Sequence, residues 1–179
     1  MTRKAFILAI GFVLLLASGG TAQEQSRAYA ELKTGDGKTV GTATLREVTG
    51  GVVIQVQVKG LTPGLHAIHV HAVGKCEAPA FNSAGAHFNP GQKKHGLKSS
   101  DGPHAGDLPN MYVAKDGSGR YETLTDGITL KAGATSVLDA DGSALVIHAG
   151  VDDDTTDPAG NAGDRAACGV VTAGQPKKK

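Results

Sequence analysis

The sequence predicts an all-β domain of about eight short strands, arranged as a β-sandwich or a flattened Greek-key barrel. Short segments of alternating apolar and polar residues recur between turn residues, as in residues 52–58, VVIQVQV. The chain also contains 26 glycines and no long stretch of apolar residues at helical spacing. Folds of this kind limit exposed strand edges by near closure of the sheet.

The predicted strands follow one another in a regular order along the chain. Asp36-Gly37 and Gly50-Gly51 are residue pairs that favour hairpins, and they separate the first three strands. The full set of predicted strands covers residues 29–33, 39–48, 52–58, 65–72, 111–115, 121–125, 128–130, 135–138, 144–148 and 168–172.

Two stretches, residues 74–110 and 151–165, do not show the alternating strand pattern. Both are rich in Gly, Pro, Asp, Asn and Lys. Loops of this length inside a compact domain are usually functional or disordered. Loops that carry metal ligands can be ordered by the metal. We therefore expect two long functional loops.

The N-terminal residues have the pattern of a secretory signal peptide. Arg3 and Lys4 precede an uncharged apolar run at residues 5–17, and Gly20-Thr21-Ala22 offers a small-x-small cleavage site. The run is too short to span about 30 Å of hydrocarbon. The sequence predicts a signal peptide at 1–22, one domain at 23–175, a basic tail at 176–179, and an exported, periplasmic or secreted product with no stable membrane anchor after cleavage.

The net charge gives no indication of a nucleic-acid partner. Removal of Arg3 and Lys4 from the 18 basic residues leaves 16 against 17 acidic residues, so the mature chain is close to neutral. The only basic run, residues 177–179, is typical of a solvated terminus.

The chain has two cysteines, Cys76 and Cys168. In an exported protein a disulfide between them is expected, because oxidising compartments preserve such bonds. The alternative is two separate buried thiols. Closing a loop of this length contributes about 4 to 5 kcal/mol in the chain-entropy model.

All seven histidines lie between His66 and His148. His69 and His71 are two residues apart on the predicted strand 65–72, so their rings share one face of it, while His66 points to the other. A lone His-x-His pair could equally be surface or core histidines. That interpretation weakens as further ligands accumulate.

Two different donor sets can be assembled from these residues. His87, His95, His104 and Asp107 lie in the first loop, and three imidazoles with one carboxylate suit tetrahedral Zn²⁺. An all-imidazole set that includes His69, His71 and His148 suits copper, which prefers nitrogen ligands.

Four motifs resemble those of the copper/zinc superoxide dismutase family: GLHAIHVH at 64–71, GAHFNP at 85–90, HAGDLPN at 104–110 and GNAGDRAACGV at 160–170. The resemblance covers nearly all of the predicted mature chain. It implies an eight-stranded flattened Greek-key β-barrel of immunoglobulin-like architecture. It also implies one copper and one zinc per chain, and disproportionation of superoxide to oxygen and hydrogen peroxide.

The resemblance assigns roles to individual residues. It implies copper ligands at His69, His71, His87 and His148, and zinc ligands at His87, His95, His104 and Asp107. His87 would bridge the two metals and donate a proton to the product peroxide. Asp152 matches a carboxylate that links a copper-site histidine to a zinc-site histidine, with a solvated loop acid as the alternative. His66 matches a structural position.

Arg165 matches an arginine that orients the superoxide anion near copper; a salt bridge to residues 152–154 is the alternative. The second loop lacks the guiding charges of animal cytosolic enzymes and resembles the bacterial branch. Steering is therefore assigned to Lys93 and Lys94, with Lys98 as a further candidate, although these lysines could equally form a solvated face.

Two rival functions remain open on the sequence. A secreted copper/zinc-binding protein of the same fold could buffer or deliver metal, and a copper-only dismutase could lack the zinc. The completeness of both ligand sets, of the cysteine pair and of Arg165 favours the copper/zinc dismutase. The sequence leaves open a monomer or a homodimer.

Overall fold

The computed structural model describes residues 26–175, which form an all-β barrel with one short 3-10 helix at Asn82–Ala84. The predicted signal peptide at 1–22 and the tail at 176–179 lie outside the described residues. Within residues 26–175, no helix has the length and apolar character needed to cross a membrane.

Ten antiparallel strands build the barrel. They are β1 Arg27–Thr34, β2 Thr39–Val48, β3 Gly51–Lys59, β4 Gly64–His66, β5 Ile68–His71, β6 Met111–Val113, β7 Ser118–Thr125, β8 Ala144–His148, β9 Arg165–Val170 and β10 Thr172–Ala173. Their spatial order is β4-β6-β7-β3-β2-β1-β9-β8-β5, with β10 paired to β1. Because β6 and β7 separate β3 from β4, the connection between those two strands has Greek-key character.

The two ends of this strand order meet at Ala67. The predicted strand 65–72 is divided there: β4 pairs with β6, and β5 pairs with β8. The Ala67 N–H donates to the Gly150 carbonyl at 2.8 Å, and the His148 N–H donates to the Ala67 carbonyl at 2.8 Å. One chain segment therefore belongs to both edges and nearly closes the barrel.

The first hairpins follow the predicted alternation. In β3, Val52, Ile54 and Val56 are buried while Gln55 and Gln57 face solvent. Gly51, with φ of +139°, begins this strand so close to β7 that a Cβ would lie 2.1 Å from the Thr125 carbonyl oxygen. Only glycine fits at this position.

The predicted fold class is confirmed, but two predicted strands, 128–130 and 135–138, are absent. Thr129 and Ser136 form an isolated parallel bridge instead. The carboxylate of Glu47 accepts hydrogen bonds from the Thr129 hydroxyl at 3.0 Å and from the Leu130 N–H at 2.7 Å. The Glu47 side chain thus satisfies the Leu130 N–H, a backbone group that a strand ladder would otherwise pair.

The interior of the barrel contains the main apolar core, to which Ile68, Val70, Leu145 and Ile147 contribute. The alternate residues of β5 and β8 point outward. There a second apolar cluster forms beneath the first long loop, made of Phe81, Ala84, Ala144, Val146 and Cys168. The side chains of His69, His71 and His148 therefore project from the outer face of β5 and β8.

Candidate metal centre

The first group of histidines is built on the outer face of two adjacent strands. His69 and His71 alternate with core residues along β5, and His148 is the last residue of β8. All three are buried. The Nε2 atoms of His71 and His148 lie 3.4 Å apart. Two adjacent strands thus direct these imidazoles toward a common position.

The first long loop docks along β5 and brings His87 and Asp107 to these rings. The Phe88 N–H donates to the Val70 carbonyl at 2.8 Å, and the Val70 N–H donates to the Gly106 carbonyl at 2.9 Å. A Cβ at Gly106 would lie 2.2 Å from the Val70 carbonyl oxygen, so the approach requires glycine. The loop backbone consequently acts as a further strand beside β5.

The second group consists of three histidines and one aspartate, all buried. Asp107 Oδ1 lies 2.9 Å from His87 Nδ1, 3.1 Å from His95 Nδ1 and 3.4 Å from His104 Nδ1. The Nδ1 atoms of His87 and His104 are 3.4 Å apart. A zinc tetrahedron with ligands at 2.0–2.1 Å has edges of about 3.3–3.4 Å, so these spacings fit zinc with little adjustment.

Backbone groups orient the Asp107 carboxylate. Its Oδ2 accepts hydrogen bonds from the Gly96 N–H at 2.8 Å and the His104 N–H at 3.0 Å, which leaves Oδ1 toward the histidines. Burial alone would raise the pKa of Asp107, but hydrogen bonds from His87 and Gly96, with the nearby His95 and His104, lower it to about 2. The carboxylate is therefore ionised at neutral pH, as a metal ligand requires.

Asp152 connects the two groups. Its Oδ2 accepts a hydrogen bond from His69 Nε2 at 2.6 Å, and its Oδ1 accepts one from His95 Nε2 at 3.0 Å. Asn110 fixes the backbone of Asp152 by donating to its carbonyl and accepting from its N–H, both at 2.9 Å. Asp152 is buried and is not the solvated loop acid of the alternative interpretation.

The protonation of the histidines also suits metal binding. Burial lowers the pKa of His71 to about 2 and the pKa of His148 to about 3. Burial also lowers the pKa of His69, although its hydrogen bond to Asp152 opposes the shift. These rings are neutral at pH 7, and a neutral imidazole has the lone pair that a metal needs.

Two buried nitrogens provide a direct test of whether metals fit. Among residues 26–175, His69 Nδ1 and His87 Nε2 are buried ring nitrogens without a hydrogen-bond partner. Buried polar atoms are normally satisfied, so such orphans need an explanation. Both belong to the four-histidine group, and a metal at its centre would satisfy them.

The opposite nitrogens of this group are occupied by protein acceptors. His71 Nδ1 lies 2.9 Å from the Gly85 carbonyl and His148 Nδ1 lies 3.2 Å from the Gly163 carbonyl. Hydrogen bonds of this kind fix the tautomer of a ligand histidine. The group thus presents Nδ1 of His69 and Nε2 of His71, His87 and His148. An all-nitrogen donor set of this type suits copper.

His66 does not belong to either group. Its ring nitrogens lie 2.7 Å from the His148 carbonyl oxygen and 2.8 Å from the Thr62 carbonyl oxygen. The ring faces away from the site and ties β4 to the end of β8.

Arg165 is held by the first loop and not by acidic residues. It donates from Nη1 to the Phe81 carbonyl at 2.6 Å and from Nη2 to the Gly85 carbonyl at 2.7 Å. Within the described part of the chain, no carboxylate forms an ion pair with it. Arg165 begins β9 opposite His148, and its half-buried guanidinium is thus fixed beside the histidine group with its charge unneutralised.

The predicted disulfide between Cys76 and Cys168 is confirmed. It joins the first loop to β9, the strand that Arg165 begins. The loop segment whose carbonyls hold Arg165 is thereby tethered to the same strand.

The three candidate steering lysines differ in their surroundings. Lys94 pairs with Asp157 at 3.0 Å and Lys98 pairs with Asp154 at 2.8 Å, so both connect the first long loop to the second. The exposed side chain of Lys93 forms no ion pair among the residues that the structure describes. Lys93 contributes its backbone to hydrogen bonds with the Asn89 side chain.

Sequence reasoning missed the carbonyls of Gly85 and Gly163, and also missed Gly160 and Asp157. Gly160 has φ of +61°, and a Cβ there would lie 1.9 Å from Asp152 Oδ1. Asp157 accepts a hydrogen bond from the His95 N–H at 2.9 Å. The glycines of the motif at 160–170 were a usable signal for close packing, whereas backbone acceptors leave no trace in a sequence.

Comparison with known proteins agrees with this geometry. The family model described as copper/zinc superoxide dismutase (SODC) matches residues 39–171. A superoxide dismutase [Cu-Zn] 2 from Aquifex aeolicus is 48% identical over 160 residues, which are 88% of this chain and 93% of the relative. A superoxide dismutase [Cu-Zn] from Caulobacter vibrioides is 46% identical over 80% of this chain and 84% of its own.

Solved structures extend the comparison to the fold. The crystal structure of a superoxide dismutase-like protein from Bacillus subtilis superposes with a TM-score of 0.78 at 37% identity. The match covers 80% of this chain and 97% of that protein. The chain belongs to the copper/zinc superoxide dismutase family.

Proposed function

We propose that this protein is a copper/zinc superoxide dismutase that converts two superoxide anions and two protons into oxygen and hydrogen peroxide. The observation that carries the proposal is the presence of two complete groups of four buried donors that share His87. A protein that only stored metal would not need one imidazole common to two adjacent sites.

In this proposal the ligands divide into three classes. His69, His71 and His148 bind copper only, while His95, His104 and Asp107 bind zinc only. His87 would hold both, since its Nε2 faces the all-histidine group and its Nδ1 faces the group that contains Asp107. The separation of its two nitrogens between the two donor groups supports this assignment.

Copper supplies one-electron redox chemistry when it is bound, and zinc supplies a redox-inert positive charge beside it. When it is not bound to copper, His87 Nε2 is the nitrogen that would hold a proton for transfer to the peroxide. The contacts of its Nδ1 side keep the ring in place during that transfer. Asp152 holds His69 and His95 in register, so that the two groups keep their spacing.

Arg165 binds and orients the superoxide anion. Its two hydrogen bonds to carbonyls fix the guanidinium without neutralising it. A guanidinium is always charged and presents several N–H donors in a fixed plane, which suits a small anion. The alternative of an ion pair with residues 152–154 has no support in the contacts of Arg165.

Lys93 is the strongest of the three steering candidates, since the charge of Lys98 is offset by Asp154. The ammonium group of Lys93 has no ion-pair partner in the described chain, whereas the charge of Lys94 is offset by Asp157. A partly neutralised lysine contributes little to the long-range field that attracts an anion.

We further propose that the protein is exported to the periplasm, or secreted, after cleavage near residue 22. The disulfide supports export, since such bonds persist in oxidising compartments. N-terminal sequencing of the protein recovered from the periplasmic fraction tests both the route and the cleavage site.

Metal analysis combined with a superoxide dismutation assay tests the main proposal. We expect one copper and one zinc per chain, dismutation activity in the wild type, and loss of activity with retained zinc in His148→Ala. One copper and one zinc per chain without activity would overturn the enzyme assignment and favour metal buffering or delivery. Zinc-free, fully active protein would instead favour a copper-only dismutase.

A further inference from the structure

The second long loop contains a carboxylate, Asp157, that contacts the group formed by His87, His95, His104 and Asp107 from outside. This group is called the zinc group below. Its Oδ1 accepts a hydrogen bond from the His95 N–H at 2.9 Å and lies 3.9 Å from His104 Nε2. Its Oδ2 lies 3.0 Å from the Lys94 ammonium. Asp157 therefore contacts His95, lies near His104, and pairs with Lys94.

Each candidate ligand histidine other than His87 has an outer nitrogen, which is the ring nitrogen that faces away from the proposed metal position. The partners of these outer nitrogens show why the Asp157 contact matters. His69 and His95 share Asp152, and His71 and His148 each face a backbone carbonyl. Among residues 26–175, His104 is the remaining ligand histidine with an outer nitrogen, and Asp157 is the carboxylate that faces it. Histidines bound to a metal usually have a carboxylate or carbonyl at the opposite nitrogen.

We propose that Asp157 is a positioning residue that raises zinc affinity. It acts through His95, whose backbone it fixes, and through His104, whose outer N–H it attracts when Nδ1 binds the metal. The pair with Lys94 holds the carboxylate in that orientation. The proposal rests on the assignment of zinc to His87, His95, His104 and Asp107.

A neighbouring ion pair provides a matched control. Asp154 pairs with Lys98 at 2.8 Å and also connects the two loops, but its carboxylate contacts no member of the zinc group in the described structure. Asp154 has φ of +62°, a conformation that asparagine tolerates better than most residues. Asp157→Asn and Asp154→Asn therefore each remove one carboxylate charge and one lysine pair between the same loops.

The experiment is an equilibrium competition for zinc between the copper- and zinc-loaded protein and a chromogenic chelator. We expect Asp157→Asn to weaken zinc binding by about tenfold. Losing the hydrogen-bond partner of a metal-binding histidine typically weakens metal affinity by about 10- to 100-fold, and the lower value applies here because the Asp157 carboxylate is partly exposed. Asp157→Ala, which also loses the bond to the His95 N–H, should weaken it further. Asp154→Asn should bind zinc as the wild type does.

Cobalt substituted at the zinc position supplies a spectroscopic readout. We expect its visible bands to shift in Asp157→Asn and to stay unchanged in Asp154→Asn. Equal zinc affinity in all variants, or an equal loss in Asp157→Asn and Asp154→Asn, would overturn the proposal. Failure of the zinc assignment would be distinguished by Asp107→Asn, which would then leave the wild-type affinity intact.

Discussion

Asp107 Oδ1 lies 2.9 Å from His87 Nδ1, on the side of the ring opposite the buried, unpartnered Nε2. One nitrogen of this imidazole therefore belongs to the mixed histidine and aspartate group, and the other belongs to the all-histidine group. Both groups depend on the position of this single ring, which the docking of the loop on β5 determines.

The first prediction concerns this shared ring. His87→Ala should lower dismutation activity by at least about 100-fold, because it removes the residue proposed as both copper ligand and proton donor. It should also weaken zinc binding, since one of four zinc donors is lost. The measurements are the rate of superoxide decay and the metal content after dialysis. Retention of tight zinc binding together with full activity would contradict the bridging role.

The second prediction concerns the carboxylate that joins the groups. Asp152→Ala should reduce affinity for copper and zinc alike, each by about 10- to 100-fold, because His69 and His95 lose their common acceptor. Asp152→Asn keeps one acceptor oxygen and should fall between. Competition titrations with chelators selective for each metal measure both affinities. A loss confined to one metal would show that Asp152 supports only one group.

The third prediction concerns anion binding. Arg165→Met should lower the rate about tenfold or more, in line with the loss of a charge-assisted hydrogen bond. Arg165→Lys should recover part of the rate, because the charge remains while the paired donors are lost. Stopped-flow rates at several ionic strengths check this. Equal rates for both variants and the wild type would remove Arg165 from the mechanism.

The fourth prediction concerns pH and the metal-free protein. The pKa of an unfolded histidine is about 6.5, while burial holds the pKa of His71 at about 2 and of His148 at about 3. The unfolded chain therefore binds more protons below pH 6.5. Stability is fully present above pH 6.5 and falls toward lower pH, by up to about 1.4 kcal/mol per pH unit for each ring.

Urea unfolding of the metal-free protein between pH 7.5 and 4.5 measures this dependence. His71→Asn should have a shallower slope than the wild type, since one proton-binding difference is removed. A free energy of unfolding that stays constant across this range would show that the rings are not buried as neutral groups.

The fifth prediction concerns the disulfide. The Cys76–Cys168 bond joins residues 92 apart in the sequence, so its loss in the Cys76→Ser, Cys168→Ser double variant should cost about 4 to 5 kcal/mol in the chain-entropy model. The rate should fall as well, because the loop carbonyls that hold Arg165 lose their tether. Denaturant unfolding and the dismutation rate check the two effects. A cost below about 1 kcal/mol would contradict a stabilising role.

Much of the fold could be predicted because alternation, glycines and turn residues mark strands directly. The prediction of two extra strands at 128–130 and 135–138 was wrong because side chains take the place of ladder partners: Glu47 accepts from the Thr129 hydroxyl and the Leu130 N–H, and the Ser136 hydroxyl accepts from the Leu138 N–H. The corner at Ala67 was also missed. A strand that changes partner keeps the same alternation on both sides of the change, so its sequence gives no sign of it.

The candidate site likewise contains features that could be predicted from the sequence and features that could not. His69 and His71 could be placed on one face from their spacing alone, and the loop ligands could be listed from chemistry and motif. The pairing of Lys94 with Asp157 and of Lys98 with Asp154 could not be predicted, since it depends on how two long loops meet. The steering hypothesis consequently narrows to Lys93.

The two-metal site that shares His87 is tested most directly by anomalous diffraction at the copper and zinc absorption edges from crystals of the metal-loaded protein. We predict a copper peak among His69, His71, His87 and His148, and a zinc peak among His87, His95, His104 and Asp107, with one peak at each nitrogen of His87. A single peak, or His87 bound to only one metal, would contradict this prediction.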